Sequence, residues 1–345
     1  MTRLERLQAA LERPLLVTHP ANVRYLSGFR SSNAALLVEP GRVRLCTDSR
    51  YTAAARLLPG LEVVDIGRDL FAGLAGLLEK EVGFEPDALT VTSFEKLRSA
   101  GASLVPSPGL VEKLRAVKDA GELAAIRRAA EVTNEAYTRL ASEPFLGRRE
   151  VDLAWRMREL FHELGSEEEA FATIVASGPN GAFPHAEPGE RVVQPGDFVV
   201  VDAGAKVDGY CADCTRTFAC GEPPAELRRA YDVCLAAQES GVASVKPGVL
   251  AREIDAAARA LIEASEFAGR FGHGLGHGVG VEVHEAPSLR AEAGEVRLEA
   301  GNVVTVEPGI YLEGLGGVRI EDLLVVTEEG AEVLTGTSKQ LTILG

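Results

Sequence analysis

Three closely spaced histidines in the second half of the chain suit metal or acid–base chemistry. His273, His277 and His284 fall within a glycine-rich stretch of twelve residues. Glycine at every second position disfavours a helix, by up to about 1 kcal/mol per residue relative to Ala, so the stretch is predicted to be extended. On an extended strand His273 and His277 lie on one face, whereas His284 has the opposite parity and needs a bend or a bulge to join them.

An internal repeat supplies carboxylates of matching spacing. Residues 194–204 align with residues 299–309 at a constant offset of 105, and each copy runs through an apolar strand into an acid. A second acid follows a glycine-containing turn in each copy. The four acids are Asp202 and Glu307 at the strand ends, and Asp213 and Glu321 beyond the turns. Two ordinary strands that happen to end in acids are the alternative, but the repeat favours two half-domains related by pseudo-twofold symmetry.

A tight turn at Asp208-Gly209 predicts how the first pair of acids meets. A two-residue hairpin there places Asp202 opposite Thr215, and Asp213 lies two residues from Thr215 on the same face. Such diagonal positions are roughly 7–8 Å apart, close enough for two side chains to reach one ion. Buried acids need a compensating cation, so a divalent pair is the natural counter-charge for four of them. A solvated acidic face is the alternative, and the apolar residues that lead into each acid argue against it.

These candidate residues follow a first region in which short strands and helices alternate. The turn signal Glu39-Pro40-Gly41 predicts a hairpin between strands 34–38 and 43–47. Helices are predicted over about 52–58 and 70–81. The turn-rich passage after residue 104 indicates a boundary between about 106 and 119, so the predicted domains are 1–115 and 119–345.

The elements predicted beyond the boundary are of mixed type. The helices are one that Asp119 caps and that extends to about residue 140, followed by 150–164, 225–245 and 251–264. The strands are 171–176, 192–203, 210–219, 281–284, 303–307 and 318–326. Helices mixed with hairpins, without regular βαβ alternation, predict an α+β second domain.

Composition excludes several classes of protein. The 345 residues include 36 Lys+Arg and 51 Asp+Glu, and a net charge of −15 disfavours nucleic acid as a partner. No apolar run approaches the roughly 20 residues that a membrane span needs, and residues 1–13 are amphipathic, unlike a signal peptide. The five cysteines lack a disulfide framework, which is typical of reduced thiols in a cytoplasm. The pair Cys211-x-x-Cys214 has no second pair and is interpreted as packing.

The motifs resemble those of the Xaa-Pro peptidases, the family of aminopeptidase P and prolidase. The matching residues are Asp202, Asp213, the His-Gly-Leu-Gly-His run that ends at His277, Val306-Glu307-Pro308-Gly309 and Arg319-Ile320-Glu321-Asp322. Residues 22–29 are similar to the opening of the family's N-terminal domain. The resemblance implies an α+β pita-bread catalytic domain with pseudo-twofold halves, preceded by a smaller α/β creatinase-like domain.

The resemblance implies a dinuclear metal site. Asp213 and Glu321 would bridge both ions, Asp202 would complete one side, and His277 with Glu307 would complete the other. Four carboxylates and one imidazole favour Mn²⁺, with Co²⁺ or Zn²⁺ as alternatives.

The resemblance also implies roles in catalysis and substrate binding. His185 and His284 match two catalytic histidines, and Glu307 would take a proton from the attacking water. His273 and Arg319 match positions near the substrate pocket. The expected substrates are peptides with proline in the second position, and the expected assembly is a homodimer.

Aminopeptidase P and prolidase differ in how they bind the C-terminal carboxylate of a short substrate. Archaeal-type prolidases place an Arg directly after the proline of His-Glu-x-Pro, where this chain has Ser288. That departure favours aminopeptidase P, with an Xaa-Pro dipeptidase as the alternative because Arg290 could reach the same place. Creatinase lacks the metal ligands, and methionine aminopeptidase normally lacks the first domain. A metal-free pita-bread binding module is the alternative from a different class, but such relatives usually lose ligands.

Overall fold

A computed structural model describes residues 1–78 and 81–344 of the chain. The chain divides into two compact units, Met1–Arg115 and Ala116–Gly345. Among the described residues, no helix has the length and apolar character needed to cross a membrane.

The first unit is built on a mixed sheet. Its strands are β1 (Leu15–Val17), β2 (Ala34–Glu39), β3 (Arg42–Thr47), β4 (Glu62–Asp65), β5 (Glu81–Phe84) and β6 (Ser103–Pro106), in the order β4-β3-β2-β1-β5-β6. Its helices are α1 (Arg3–Ala10), α2 (Pro20–Ser27), α3 (Thr52–Ala55), α4 (Leu70–Ala75), α5 (Val91–Ser99) and α6 (Leu110–Ala116), the last of which ends at the unit boundary. The pairs β1–β2 and β2–β3 are antiparallel, and the remaining neighbours are parallel.

In the first unit, the predicted hairpin is present, but two predicted helices end earlier than expected. The predicted hairpin is confirmed, since β2 and β3 pair in register from Ala34–Thr47 to Glu39–Arg42. The helix predicted over 70–81 is wrong beyond Ala75, because Gly76 forms its C-cap and β5 begins at Glu81. Residues 79 and 80, within that predicted helix, lie outside the described residues. The helix predicted over 52–58 ends at Ala55.

The second unit contains helix pairs and mostly antiparallel sheets. Its helices are α7 (Ala120–Ala141), α8 (Glu150–Glu163), α9 (Ala225–Ser244) and α10 (Ala251–Glu263), together with a 3-10 helix at Gly178–Ala182. Its strands are β7 (Glu168–Glu169), β8 (Ile174–Ser177), β9 (Phe198–Asp202), β10 (Ala205–Val207), β11 (Tyr210–Cys211), β12 (Thr215–Cys220), β13 (Gly276–Gly278), β14 (Glu285–Leu289), β15 (Val303–Val306), β16 (Gly309–Leu312), β17 (Gly316–Arg319), β18 (Asp322–Val326), β19 (Ala331–Val333) and β20 (Thr342–Leu344). All four predicted helices are present within two residues of their predicted ends.

The second unit repeats one packing arrangement. Buried side chains of α7 and α8, such as Tyr137 and Met157, pack against the sheet β20-β12-β9-β8. Buried side chains of α9 and α10, such as Ile254, pack against the sheet β14-β13-β15-β18-β19. Each half therefore buries one face of a sheet under a helix pair, and these sheets are antiparallel except where β12 pairs with β20 in parallel. The expected α+β fold with related halves is confirmed.

Most predicted strands in the second unit are shorter than expected, divided or absent. The strand predicted over 171–176 begins only at Ile174, and those predicted over 210–219 and 318–326 are each divided into two strands. The strand predicted over 192–203 begins only at Phe198, because residues 194–197 form a turn in which Gly196 has φ +88°. The strand predicted over 281–284 is absent, since the chain bends between β13 and β14. The hairpin of β16 and β17 was not predicted, although Gly314, Gly316 and Gly317 lie in its turn and its second strand.

The cysteines are buried free thiols. Burial raises the pKa of Cys211 and of Cys214 to about 12, so both remain protonated at neutral pH. This agrees with their interpretation as packing residues.

Candidate active site

The first pair of carboxylates comes from the segment between β9 and β12. Asp202 is the last residue of β9 and lies opposite Thr215, the first residue of β12. Asp208 and Gly209 occupy the turn between β10 and β11 with φ +50° and +81°, as a two-residue hairpin turn requires. Asp213 lies two residues before Thr215 and is 4% exposed. The predicted register of this hairpin is confirmed.

The second pair lies at the corresponding end of the other half. Val306 is the last residue of β15 and pairs with Asp322, the first residue of β18. The next residue beyond this pair on each side is an acid, Glu307 or Glu321. Glu321 is 1% exposed, and its backbone N–H donates to the carbonyl oxygen of Thr215 at 3.1 Å. Acids from both copies of the repeat therefore lie beside one another.

His277 links acids from the two halves. It is the central residue of β13, which pairs with β15, and its backbone N–H donates to Thr305 Oγ1 at 3.0 Å. Its ring Nε2 lies 3.3 Å from Glu307 Oε1 and 3.6 Å from Asp213 Oδ2. The strand pairing thus presents an imidazole to carboxylates that come from different copies of the repeat.

The donor set fits divalent cations. Asp213, His277 and Glu321 each offer a ligand atom, and these atoms lie within 4.8 Å of one another. Asp202 Oδ1 and Glu321 Oε1 are buried and have no hydrogen-bond partner among the described residues. Buried carboxylate oxygens are normally satisfied, so two such oxygens beside this cluster indicate a missing positive partner.

The electrostatics of the acids point to the same conclusion. Burial raises the pKa of Asp213 well above its usual range, and the charge of Glu321 raises it further. Burial raises the pKa of Glu321 in the same way, with the charge of Glu307 adding to it. Burial opposes the ionised form of Glu307 as well, but its hydrogen bond to His277 lowers its pKa overall. Full ionisation of these acids is therefore unfavourable unless a cation is bound beside them.

Arg319 neutralises part of this charge from one side. It is 4% exposed, and its Nη2 donates to Asp202 Oδ2 at 2.7 Å. Its Nη1 donates to Tyr311 Oη and to the carbonyl oxygen of Pro184, each at 3.1 Å, and its Nε donates to Thr215 Oγ1 at 3.2 Å. The guanidinium is thus held by four partners, one of which is Asp202, and the other oxygen of Asp202 is buried without a hydrogen-bond partner among the described residues.

His273 lies on the far side of the same arginine network. Its Nε2 is 2.8 Å from Tyr311 Oη, and its ring packs edge-on against Phe271 with ring centroids 4.9 Å apart. Burial lowers the pKa of His273, which favours the neutral imidazole.

The bend between β13 and β14 brings His284 to the site. The ring of His284 packs edge-on against the ring of His277, with centroids 4.3 Å apart. The bend is closed by a hydrogen bond from the Gly280 N–H to the Glu282 carbonyl oxygen at 2.9 Å. The predicted bend is therefore confirmed, and it overcomes the opposite strand parity of His284.

The predicted site residues other than Glu321 line one cavity of about 290 Å³, and His185 lines it from an exposed segment. The lining residues are Phe171, Ile174, Pro184, His185, Asp202, Asp213, His273, Gly274, Gly276, His277, Val283, His284, Ser288, Arg290, Glu307 and Arg319. A larger cavity of about 590 Å³ lies beside α8, around Trp155 and His162, and contains none of the predicted site residues. Convergent ionisable groups, and not volume, therefore identify the candidate active site.

Sequence reasoning missed two residues that organise the site. Thr215 donates through Oγ1 to Glu321 Oε2 at 2.7 Å, and its position opposite Asp202 was the one available signal. Tyr311 joins His273 to Arg319, and no spacing in the sequence indicates that role.

Comparison with known proteins agrees with this geometry. Residues 124–328 match the sequence model of metallopeptidase family M24, and residues 3–117 match that of the creatinase/prolidase N-terminal domain. The chain belongs to the Xaa-Pro peptidases of family M24. Its second unit accordingly has the pita-bread fold of that family, and its first unit the creatinase-type fold.

Individual relatives include both types of Xaa-Pro peptidase. An Xaa-Pro dipeptidase of Pyrococcus furiosus is 40% identical over 232 residues, which are 67% of this chain and 66% of that protein. The structure of an Xaa-Pro dipeptidase from Bacillus anthracis matches with a TM-score of 0.95 and 38% identity, covering 99% of each chain. The structure of an X-Pro aminopeptidase from Thermotoga maritima matches with a TM-score of 0.89 and 34% identity, covering 99% of this chain and 100% of that chain.

Proposed function

We propose that the protein is a dinuclear-metal Xaa-Pro dipeptidase that hydrolyses the bond between an N-terminal residue and a following proline. The observation that carries the proposal is the convergence of acids from both copies of the repeat on His277, beside two buried oxygens that lack a partner. Such a cluster suits an enzyme with two divalent ions better than a binding module, because a binding module has no need to bury uncompensated charge.

The ligands proposed for the ions are the five residues predicted from the sequence. Asp213 and Glu321, the most deeply buried of the four acids predicted as ligands, would contact both ions. Asp202 would complete one side through the oxygen that Arg319 leaves without a partner, and His277 with Glu307 would complete the other. Oxygen-rich donor sets favour Mn²⁺, with Co²⁺ or Zn²⁺ as alternatives.

The chemistry that bound divalent ions supply is the activation of water at neutral pH and the polarisation of the scissile carbonyl group. Glu307 lines the cavity and would take a proton from the attacking water and return it to the proline nitrogen that leaves. His284 and His185 line the cavity and can donate hydrogen bonds to the oxygen on which charge develops. Arg319 holds Asp202 in position throughout.

Two observations support a preference of the enzyme for dipeptide substrates: the position of Arg290 in the cavity and the dipeptidases among the relatives. Arg290 lines the cavity, and its side chain has no partner among the described residues. The guanidinium of Arg319, in contrast, is fully engaged. Arg290 can therefore form a charge-assisted hydrogen bond with the carboxylate of a dipeptide, whereas the hydroxyl of Ser288 carries no charge. The dipeptidases among the relatives support this alternative over the aminopeptidase P activity expected from Ser288.

A comparison of substrate lengths tests the proposal. The purified protein would be supplied with Mn²⁺ and offered an Xaa-Pro dipeptide and an Xaa-Pro-Yaa tripeptide that share the first residue. We expect turnover of the dipeptide and a kcat/KM at least tenfold lower for the tripeptide. Faster turnover of the tripeptide would support aminopeptidase P. A protein with neither activity and no bound divalent ions would support a binding module.

A further inference from the structure

A fully buried carboxylate outside the catalytic cluster holds together the segment that bears His185. Glu150 is the first residue of α8 and is 0% exposed. Its Oε1 accepts hydrogen bonds from the Ser177 N–H and the Ser177 hydroxyl, each at 2.7 Å. Its Oε2 accepts from the Gly189 N–H at 3.2 Å, and Asn180 Nδ2 donates to both oxygens at 3.0 and 3.1 Å.

These donors lie near the two ends of one loop. Ser177 ends β8, and Gly189 lies twelve residues later; we call residues 178–189 the His185 loop. The α8 backbone reinforces the closure, since the Val151 N–H donates to the Gly189 carbonyl oxygen at 3.1 Å. Glu150 therefore joins the start and the end of the loop at a single carboxylate.

The middle of the loop is exposed except where it meets the candidate active site. Phe183 is 60% exposed, and His185 is also exposed. Pro184, between them, accepts a hydrogen bond from Arg319 Nη1 at 3.1 Å. The loop is thus held at its base by Glu150, in its 3-10 helix by close packing of Gly181 against Gly317, and at its tip by Arg319. The position of His185 relative to the cavity depends on these three contacts.

We propose that Glu150 is a positioning residue for catalysis: it sets the geometry of the His185 loop and thereby the placement of His185 at the scissile bond. This inference rests on the role given to His185 in the proposed function. Because the carboxylate of Glu150 is buried, it cannot replace its five hydrogen-bond contacts with bonds to water. These contacts therefore hold the base of the loop in one arrangement. A catalytic group that moves by about 1 Å can lose roughly 100-fold in rate, so the base of the loop matters although it does not touch substrate.

The test is a double-mutant cycle between Glu150 and His185 in the Mn²⁺-supplied protein. In Glu150→Gln one carboxylate oxygen is replaced by an amide NH2 group. At the position of Oε2, this group faces the N–H donors of Asn180 and Gly189 and cannot accept from them. We expect kcat for an Xaa-Pro dipeptide to fall about 10- to 100-fold, while KM and bound Mn²⁺ change less than about twofold. We expect His185→Ala to lower kcat by at least as much, and the double variant to match His185→Ala alone.

A second readout does not depend on activity. Hydrogen–deuterium exchange should increase in the His185 loop of Glu150→Gln, and should stay unchanged in β15 and β18. Asn180→Ala removes one donor and leaves the carboxylate in place, so it replaces Glu150→Gln in the cycle if that variant fails to fold. Glu85→Gln is the matched control, because Glu85 is also buried and accepts backbone N–H groups, those of Thr18 and His19, but lies in the first unit. It should leave kcat unchanged.

The outcomes separate this inference from the proposed function. A double variant in which the two losses multiply would overturn the inference, since Glu150 would then act independently of His185. Full activity of Glu150→Gln and Asn180→Ala, with an impaired His185→Ala, would overturn the inference alone. Full activity of His185→Ala would overturn both the inference and the role proposed for His185.

Discussion

Thr215 and Glu321 hold the two halves of the second unit together at the acid cluster. The Thr215 hydroxyl donates to Glu321 Oε2 at 2.7 Å, and the Glu321 N–H donates to the Thr215 carbonyl oxygen at 3.1 Å. The same hydroxyl accepts a hydrogen bond from Arg319 Nε at 3.2 Å. One threonine therefore orients an acid of the second copy of the repeat from a strand of the first.

Thr215→Val should weaken divalent-ion binding without unfolding the protein. Valine matches the shape of threonine but leaves Glu321 Oε2 without its donor, and loss of such a partner typically lowers metal affinity by about 10- to 100-fold. The measurement is Mn²⁺ titration by calorimetry, with circular dichroism to check the fold. Thr215→Ser keeps the hydroxyl and should retain near-normal affinity. Equal affinities in the Val and Ser variants would contradict this role for the hydroxyl.

Asp213→Asn should abolish nearly all turnover while the fold survives. The amide has almost the same shape as the carboxylate but no charge, so it cannot contact two cations as proposed for Asp213. We expect kcat to fall by at least about 1,000-fold and bound metal to fall below two ions per chain. Metal analysis and dipeptide kinetics measure both quantities. Full activity in this variant would refute the bridging role.

Arg290→Ala should impair dipeptides selectively. A charge-assisted hydrogen bond to the substrate carboxylate contributes about 1.5–3 kcal/mol, which corresponds to roughly 10- to 100-fold in kcat/KM. An Xaa-Pro amide lacks that carboxylate, so its kcat/KM should be nearly the same in the wild type and in the variant. The comparison uses both substrates with Arg290→Lys as the control, which keeps the charge. Equal losses for the acid and the amide would exclude carboxylate recognition by Arg290.

Asp48 should make the stability of the first unit depend on acidic pH. Hydrogen bonds from Arg50, and one from Asn33, hold the pKa of Asp48 well below its usual range. A carboxyl group whose pKa is lower in the folded state stabilises the protein above its unfolded-state pKa, near 3.9, and loses that contribution as the pH falls through the folded-state pKa.

Asp48→Asn should therefore lower the free energy of unfolding at pH 7, and the difference from the wild type should shrink as the pH falls below 4. Urea unfolding followed by circular dichroism at a series of pH values measures this difference. Asp87→Asn, at an exposed acid, is the control and should change stability little at any of these pH values. A difference that is the same at pH 7 and pH 2 would show that the charge of Asp48 is not responsible.

Short-range signals explain which parts of the second unit were predictable. The turn at Asp208-Gly209 forces left-handed backbone at adjacent residues, which determines the register that places Asp202 opposite Thr215. Strand parity showed that His284 needed a bend, and the bend is present. Where the signal was ambiguous, prediction was wrong: the apolar residues after Leu70 suit a longer helix, but Gly76 ends it.

The sequence by itself determined which groups are available at the candidate site. They are the acids at the strand ends of a repeat with an offset of 105 residues and a histidine in a glycine-rich strand, all set by local spacing. Tertiary structure alone decided how these groups are held. Glu150 meets Gly189, Thr215 meets Glu321 and Tyr311 meets His273 through contacts between residues 38 to 106 positions apart. Such pairings follow from how sheets and helices pack, because the alternation and turn rules of a sequence act only over a few neighbouring residues.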